Sequence, residues 1–117
     1  MEFKITRVFT GARGETHFDD LLMPLNDKGE IGFLSEAQKT QSVVFRKVVA
    51  DYDFNFHNTP SRQYVVLLDG EIEIETSLGE KRKFKAGHIL LLEDTSGKGH
   101  KTKNLKPQIR SSLFIEL

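Results

Sequence analysis

The sequence contains no cysteine, no excess of charge of one sign and no long apolar run. Without cysteine, the chain has no disulfide framework, thiolate nucleophile or cysteine-based metal site, which fits a reducing cytoplasm. The 17 basic residues balance the 17 acidic ones, so no electrostatic footprint for nucleic acid or an anionic membrane is present. No apolar run approaches the roughly 20 residues of a membrane helix, and the start lacks the apolar core of a signal peptide. We therefore expect a cytoplasmic protein without nucleic-acid or membrane partners.

The 117 residues suit a single domain, 1–117. Short segments rich in Val, Ile, Leu and Phe alternate with glycine-containing turns, and no helix of useful length is indicated. Residues 33–41 could hold one helical turn, but a loop is expected there. Many short strands with such turns predict an all-β sandwich or barrel. Strands are predicted at 2–10, 21–25, 42–50, 51–58, 64–68, 71–76, 81–84, 89–92 and 108–117.

Three local patterns make sharper predictions. The Val- and Phe-rich segment 42–50 predicts a central strand. Alternation with a period of two over 51–58 predicts that His57 faces away from both Phe54 and Phe56. The pair Asp69–Gly70 predicts a β-hairpin turn.

Polar side chains precede a buried strand in the stretch 56–70. They are His57, Thr59, Arg62 and Gln63. Polar groups at the mouth of a buried strand are what a small-molecule site in a β-barrel needs. If that strand is regular, Gln63, Val65 and Leu67 face inward.

The order of these residues matches two sequence motifs. In the first, His57 stands at the place of one histidine, Thr59 at that of a second histidine, Gln63 at that of a glutamate and Gly70 at that of a glycine. In the second, Thr95 replaces a proline, while Gly97, His100 and Asn104 match. Over residues 42–117 the chain resembles the cupin superfamily, as a small single-domain cupin of the RmlC-like type. The resemblance implies a cupin-type double-stranded β-helix, or jelly-roll barrel. Gly97 and Gly99 would let the loop bend so that His100 enters the barrel.

The resemblance also implies a metal site, with an incomplete ligand set. In cupins three histidines and a glutamate bind one divalent metal, and only His57 and His100 keep that identity here. We expect a divalent ion to bind weakly, or only with help from a nearby carboxylate or water. The same two residues are the candidate catalytic acid–base groups, because imidazole titrates near neutral pH. Two alternatives stay open: the histidines could be unrelated, or could simply hydrogen-bond inside the barrel.

Four further side chains are weighed as site residues. Asp94 could bind a ligand or complete a metal site, although charged residues in such loops more often face solvent. Arg62 could pair with an anionic ligand through its planar guanidinium, or point outward to a salt bridge. His17 could fold over the barrel mouth but is more often exposed in such a place, and His88 is expected to be exposed.

Three functions remain open on these observations. The first is a small-molecule-binding cupin or cupin enzyme acting on a small polar compound, a carboxylated one included. The second is a metal-dependent cupin enzyme, such as a dioxygenase or isomerase, and the third is a non-catalytic sensor or interaction module. Fold alone does not choose among them.

A homodimer is expected as well. The apolar segment 3–8 can form an edge, and Val44, Val48, Tyr64 and Val66 are candidates for an outer sheet face. Exposed apolar patches usually mark partners, and the resemblance to cupins, which are often dimers, implies the same.

Overall fold

The computed structural model describes residues 1–117 as twelve strands and one 3₁₀ turn at Gly29–Ile31. No helix is long and apolar enough to span a bilayer. The strands are β1 (Glu2–Thr10), β2 (Thr16–Pro24), β3 (Asn26–Asp27), β4 (Phe33–Leu34), β5 (Ser42–Val48), β6 (Asp53–His57), β7 (Gln63–Leu67), β8 (Glu71–Glu75), β9 (Lys81–Lys85), β10 (Ile89–Leu92), β11 (His100–Asn104) and β12 (Arg110–Glu116).

Two sheets make up the barrel. The larger has the order β2-β1-β10-β7-β12-β5 and the smaller has the order β6-β11-β8-β9, while β3 and β4 form a separate short ribbon. From β5 onward the chain crosses repeatedly between the two sheets. Neighbouring strands are antiparallel except β1 and β10, which are parallel. Antiparallel strands that alternate between two sheets form a jelly roll, so the predicted all-β jelly-roll fold class is confirmed.

The core lies between the sheets and follows the period-two pattern of the strands. In β7 the side chains of Gln63, Val65 and Leu67 are buried and the intervening ones are half-buried, as predicted. In β8 the buried Ile72 and Ile74 alternate with glutamates. Burial of each large apolar side chain contributes about 1.5–3 kcal/mol to stability. The central cluster consists of Val8, Phe18, Val65, Leu67, Ile72, Ile74, Phe84, Leu90 and Leu92.

Two sequence predictions about strand position are wrong. The segment that begins at Ser42 forms β5, which is the edge strand of the larger sheet rather than a central one. Its Val43, Val44 and Phe45 are exposed, so its β-branched and aromatic content does not reflect burial on both faces. Asp69–Gly70 does not close a hairpin, because β7 and β8 belong to different sheets. The turn carries the chain across the barrel, with Gly70 at a φ of 69°.

A β-bulge in the smaller sheet corrects a third prediction. His57 pairs with His100, but the next pair is Phe54 with Thr102, so the two strands differ by one residue between these pairs. An extra residue reverses the side-chain alternation along a strand. Phe54 therefore lies on the same face as His57, with ring centroids 3.8 Å apart.

The remaining differences are small. β2 is longer than the predicted segment 21–25 and starts at Thr16, and Pro24 ends it as a residue without an amide donor should. Apart from the two residues of β4, the segment 33–41 is irregular, as expected.

Candidate functional site

A cavity of about 250 Å³ lies between the sheets. Both β5 and β6 are edge strands, one of each sheet, and both contribute to the lining. Ligand sites are typically apolar cavities with a few placed polar groups, and this composition fits that description. The lining residues are Arg46, Tyr52, Phe54, His57, Thr59, Pro60, Gln63, Val65, Ile72, Ile74, Leu90, Leu92, His100, Thr102, Arg110 and Phe114.

The structure brings the two motif histidines together. His57 ends β6 and His100 begins β11, and the two are direct cross-strand partners. Their ring centroids are 4.6 Å apart and both rings line the cavity. The chain can reach this position because Gly99 has a φ of 75° and packs against the carbonyl group of His57. A residue with a Cβ would overlap that carbonyl.

Hydrogen bonds fix the tautomer of His57. Its Nδ1 donates to the carbonyl oxygen of Asn55 at 2.7 Å, because a carbonyl oxygen can only accept. In the neutral ring, Nε2 then carries the free lone pair. Burial lowers the pKa of His57 below its ordinary value of 6.5, although the hydrogen bond to Asn55 opposes this and nearby His100 adds to it. His57 is therefore a neutral base at pH 7.

His100 is held by a buried carboxylate. Its Nδ1 donates to Oδ2 of Asp94 at 2.5 Å, and the other carboxylate oxygen accepts a hydrogen bond from the Thr59 hydroxyl at 2.7 Å. Asp94 is fully buried and lies behind His100, outside the cavity lining. The expectation that loop position exposes Asp94 is therefore wrong. Asp94 orients the imidazole and leaves its Nε2 without a protein partner.

These residues do not fit a strong metal site. No group of three or more His, Cys, Asp or Glu side chains that could hold a metal ion is present. Both oxygens of Asp94 accept hydrogen bonds from protein groups, so this carboxylate does not add a third ligand to the two imidazoles. Zinc sites in proteins normally have at least three protein ligands. Weak binding of a divalent ion by His57 and His100 stays a prediction.

The other candidates divide between the cavity and the surface. Gln63 and Thr59 line the cavity. Arg62 is exposed and forms an ion pair with Glu93, which is the outward salt bridge of the two alternatives, and its role toward a ligand stays a prediction. His17 lies outside the cavity, half-buried, with its ring 5.6 Å from that of Phe9. His88 is exposed, as expected.

Sequence reasoning missed two cavity arginines, Arg46 and Arg110, and the aromatic ring of Tyr52 between them. The centroid of that ring lies 5.0 Å from Cζ of Arg46 and 5.5 Å from Cζ of Arg110. One signal for Arg110 was available. It has the same parity in the last strand as Phe114, and the opposite parity to Leu113 and Ile115 on the outer face.

Comparisons with known proteins add little to this geometry. No protein-family model matches the chain, and no curated protein matches it either. A similar solved structure is that described as ethanolamine utilization protein Q from Salmonella typhimurium LT2, with 16% sequence identity and a TM-score of 0.40. The match covers 98% of this chain and 95% of that chain. Similarity at this level transfers no property to the present chain.

Proposed function

We propose that the chain is a small-molecule-binding protein of the cupin type, whose ligand occupies the cavity between the two sheets. The observation that carries the proposal is the pair of adjacent imidazoles of His57 and His100 in a cavity whose lining is half hydrophobic. Each imidazole uses its Nδ1 within the protein and has no protein partner for its Nε2, so the pair can bind a polar ligand group that lies between them.

The volume and lining limit the size of the ligand. A cavity of about 150 Å³ accepts benzene, so 250 Å³ suits a compound of roughly ten non-hydrogen atoms. Its body would contact aliphatic and aromatic walls, among them Ile74, Leu90 and Phe114. Its polar group would lie against the two histidines and Gln63.

The histidines also support acid–base chemistry on such a ligand. His57 is neutral at pH 7 with its lone pair on Nε2, so it accepts a proton from a ligand group within hydrogen-bonding distance. His100, held by Asp94, is placed to exchange a proton with the same ligand group. This role needs no metal, and two imidazoles alone do not fit a tightly held one.

The test is a thermal-shift screen of small polar and carboxylated compounds against the wild-type protein and Thr102→Phe. Thr102 lines the cavity and is the middle residue of β11, and a phenyl ring there would occupy cavity space. Compounds that stabilise the wild type and not the variant occupy the cavity. If every stabilising compound acts equally on both proteins, the cavity is not the binding site and the proposal fails.

Turnover of the hits separates an enzyme from a sensor. Loss of turnover in His57→Gln, with binding retained, would assign the acid–base step to His57. Binding without turnover in the wild type would favour the non-catalytic role. Metal analysis of protein purified without chelator tests the metal-dependent alternative, which predicts one tightly held equivalent.

A further inference from the structure

Arg110 is a buried cation with an unused donor. The residue is 2% exposed. Its Nε donates to Oδ1 of Asn104 at 2.8 Å, whereas its Nη2 is buried and has no hydrogen-bond partner. Burial, and next the charge of Arg46, lower the pKa of Arg110 from its usual value. Desolvating an ion costs several kcal/mol unless a counter-charge compensates.

No protein carboxylate pairs with the guanidinium directly, although Asp69 is near enough for its charge to raise the pKa of Arg110 against these effects. The cavity lining includes Arg46 and Arg110 but no Asp or Glu. Asp69 accepts a hydrogen bond from the backbone N–H of Ser111 at 2.6 Å and makes none with Arg110. Arg46, half-buried, stacks on Phe114 with Cζ 4.8 Å from the ring centroid. The cavity therefore contains two guanidinium groups that no carboxylate contacts directly.

The structure holds Arg110 in place for this arrangement. The amide nitrogen of Asn104 donates to the carbonyl oxygens of Val49 and Ala50 at 3.2 and 3.3 Å, which directs its Oδ1 toward Arg110. On the other side, the stem of Arg110 packs over Gly70, where an added Cβ would lie 3.1 Å from its Cγ. A positioned guanidinium with a free Nη2 is suited to a planar anion.

We propose that Arg46 and Arg110 form an anion subsite of the cavity, which binds the carboxylate of a small organic acid. This inference rests on the proposed function and names the ligand class for it. Asn104, which holds Arg110, lies four residues along β11 from His100, or about 13 Å of strand. The anchor of Arg110 is therefore displaced along the cavity from the imidazoles, whereas Arg46 is close enough for its charge to lower the pKa of His57. The acid binds the arginines with its carboxylate and reaches His57 and His100 with a polar group at its far end. An apolar body lies between these two groups.

The experiment compares acids with their neutral amides. The probes are 4-hydroxyphenylacetate and 3-(4-hydroxyphenyl)propionate, whose phenol hydroxyl gives each a polar far end, each with its primary amide, and inorganic phosphate as a free anion. Dissociation constants are measured by isothermal titration calorimetry for the wild type, Arg110→Met and Arg46→Met. The matched control is Arg62→Met, which removes an exposed arginine outside the cavity.

The wild type is expected to bind each acid at least about tenfold more tightly than its amide. Arg110→Met should abolish that preference, Arg46→Met should reduce it, and Arg62→Met should keep it. Arg110→Met should lose some stability without ligand, because Oδ1 of Asn104 loses its donor, so binding is measured at a temperature where every variant is folded. A preference for acids that the folded Arg110→Met variant keeps unchanged would overturn the subsite.

Other outcomes separate the subsite from the proposed function. If acids and amides bind equally, and Thr102→Phe abolishes both, the cavity binds ligands but the anion subsite is wrong. If phosphate binds and competes as well as the acids, the organic-acid class is wrong. If no probe, acid or amide, binds in the cavity, that result counts against the subsite and the proposed function together.

Discussion

At the scale of single residues, Asp94 determines the orientation of the His100 imidazole. Its two oxygens accept from Thr59 and His100, and an asparagine in its place could accept from only one of them. We predict that Asp94→Asn lowers the free energy of unfolding by about 1–3 kcal/mol, because a buried donor loses its acceptor. The tautomer of His100 should also change, which ¹⁵N NMR of the imidazole would detect.

The neighbouring Glu93→Gln is the matched control for this prediction. Glu93 pairs with Arg7 and Arg62 at the surface, and such pairs contribute about 0–1 kcal/mol. Equal destabilisation by the two variants, with an unchanged His100 spectrum, would contradict the role assigned to Asp94.

The lowered pKa of His57 predicts how the stability of the protein depends on pH. Burial lowers the folded-state pKa below 6.5, so the unfolded chain takes up a proton at a higher pH than the folded one does. The contribution of neutral His57 to stability is therefore complete above pH 6.5 and declines as pH falls from there through the folded pKa. Urea unfolding of the wild type and His57→Gln between pH 5 and 8 checks this. The wild type should lose stability relative to the variant on acidification, and parallel curves would refute the assignment.

Which side chains meet in the site was only partly predictable from the sequence. Motif spacing placed His57 and His100 together because each lies at a fixed point of a strand. It could not place Asp94, since the burial of a loop residue depends on the loop's path. It did not identify Arg110 either, because the parity of Arg110 in the last strand was visible but the pairing of β12 decides which parity faces the cavity.

At the scale of secondary-structure elements, Gly99 is the residue that allows β11 to begin beside β6. Gly99→Ala would place a Cβ 2.5 Å from the carbonyl carbon of His57, in addition to the strain of a φ of 75°. We predict a loss of more than about 3 kcal/mol in the free energy of unfolding. Gly79→Ala is the control, since Gly79 has a φ of 87° and no neighbour within 4 Å of an added Cβ. It should cost only the strain, about 1–2 kcal/mol. Similar values for the two variants would show that the close approach to His57 is not tight.

At the same scale, the sequence predicted where most strands lie along the chain, but not their positions within the sheets. The alternation in β7 and β8 is local, so Val65 and Ile72 were correctly oriented from the pattern. The bulge between β6 and β11 arises from pairing with a strand more than forty residues away, and no local pattern contains it. For the same reason Asp69–Gly70 looked like a hairpin although it crosses between sheets.

At the scale of the whole molecule, the outer face of the larger sheet is apolar. Cross-strand pairing puts Val43 and Phe45 of β5 beside Ile115 and Leu113 of β12. Tyr64 and Val66 continue the face on β7. The predicted Val44 and Val48 belong to the opposite parity, so Val43 and Phe45 replace them. Phe45 is 82% exposed. An aromatic side chain with so much solvent exposure on an edge strand favours a partner surface.

We therefore predict a homodimer that buries this face, with β5 at its centre. The double change Val43→Asp with Phe45→Asp should convert it to a monomer at micromolar concentration, because two carboxylates on each copy would have to be buried in the interface. Multi-angle light scattering after gel filtration measures the mass. Phe56→Asp is the matched control, since Phe56 is also exposed but lies on β6 in the smaller sheet, and it should remain dimeric. The barrel of each copy keeps its own cavity in this arrangement, so the monomeric variant should bind cavity ligands as the wild type does. A wild-type mass equal to one chain at micromolar concentration would exclude the dimer.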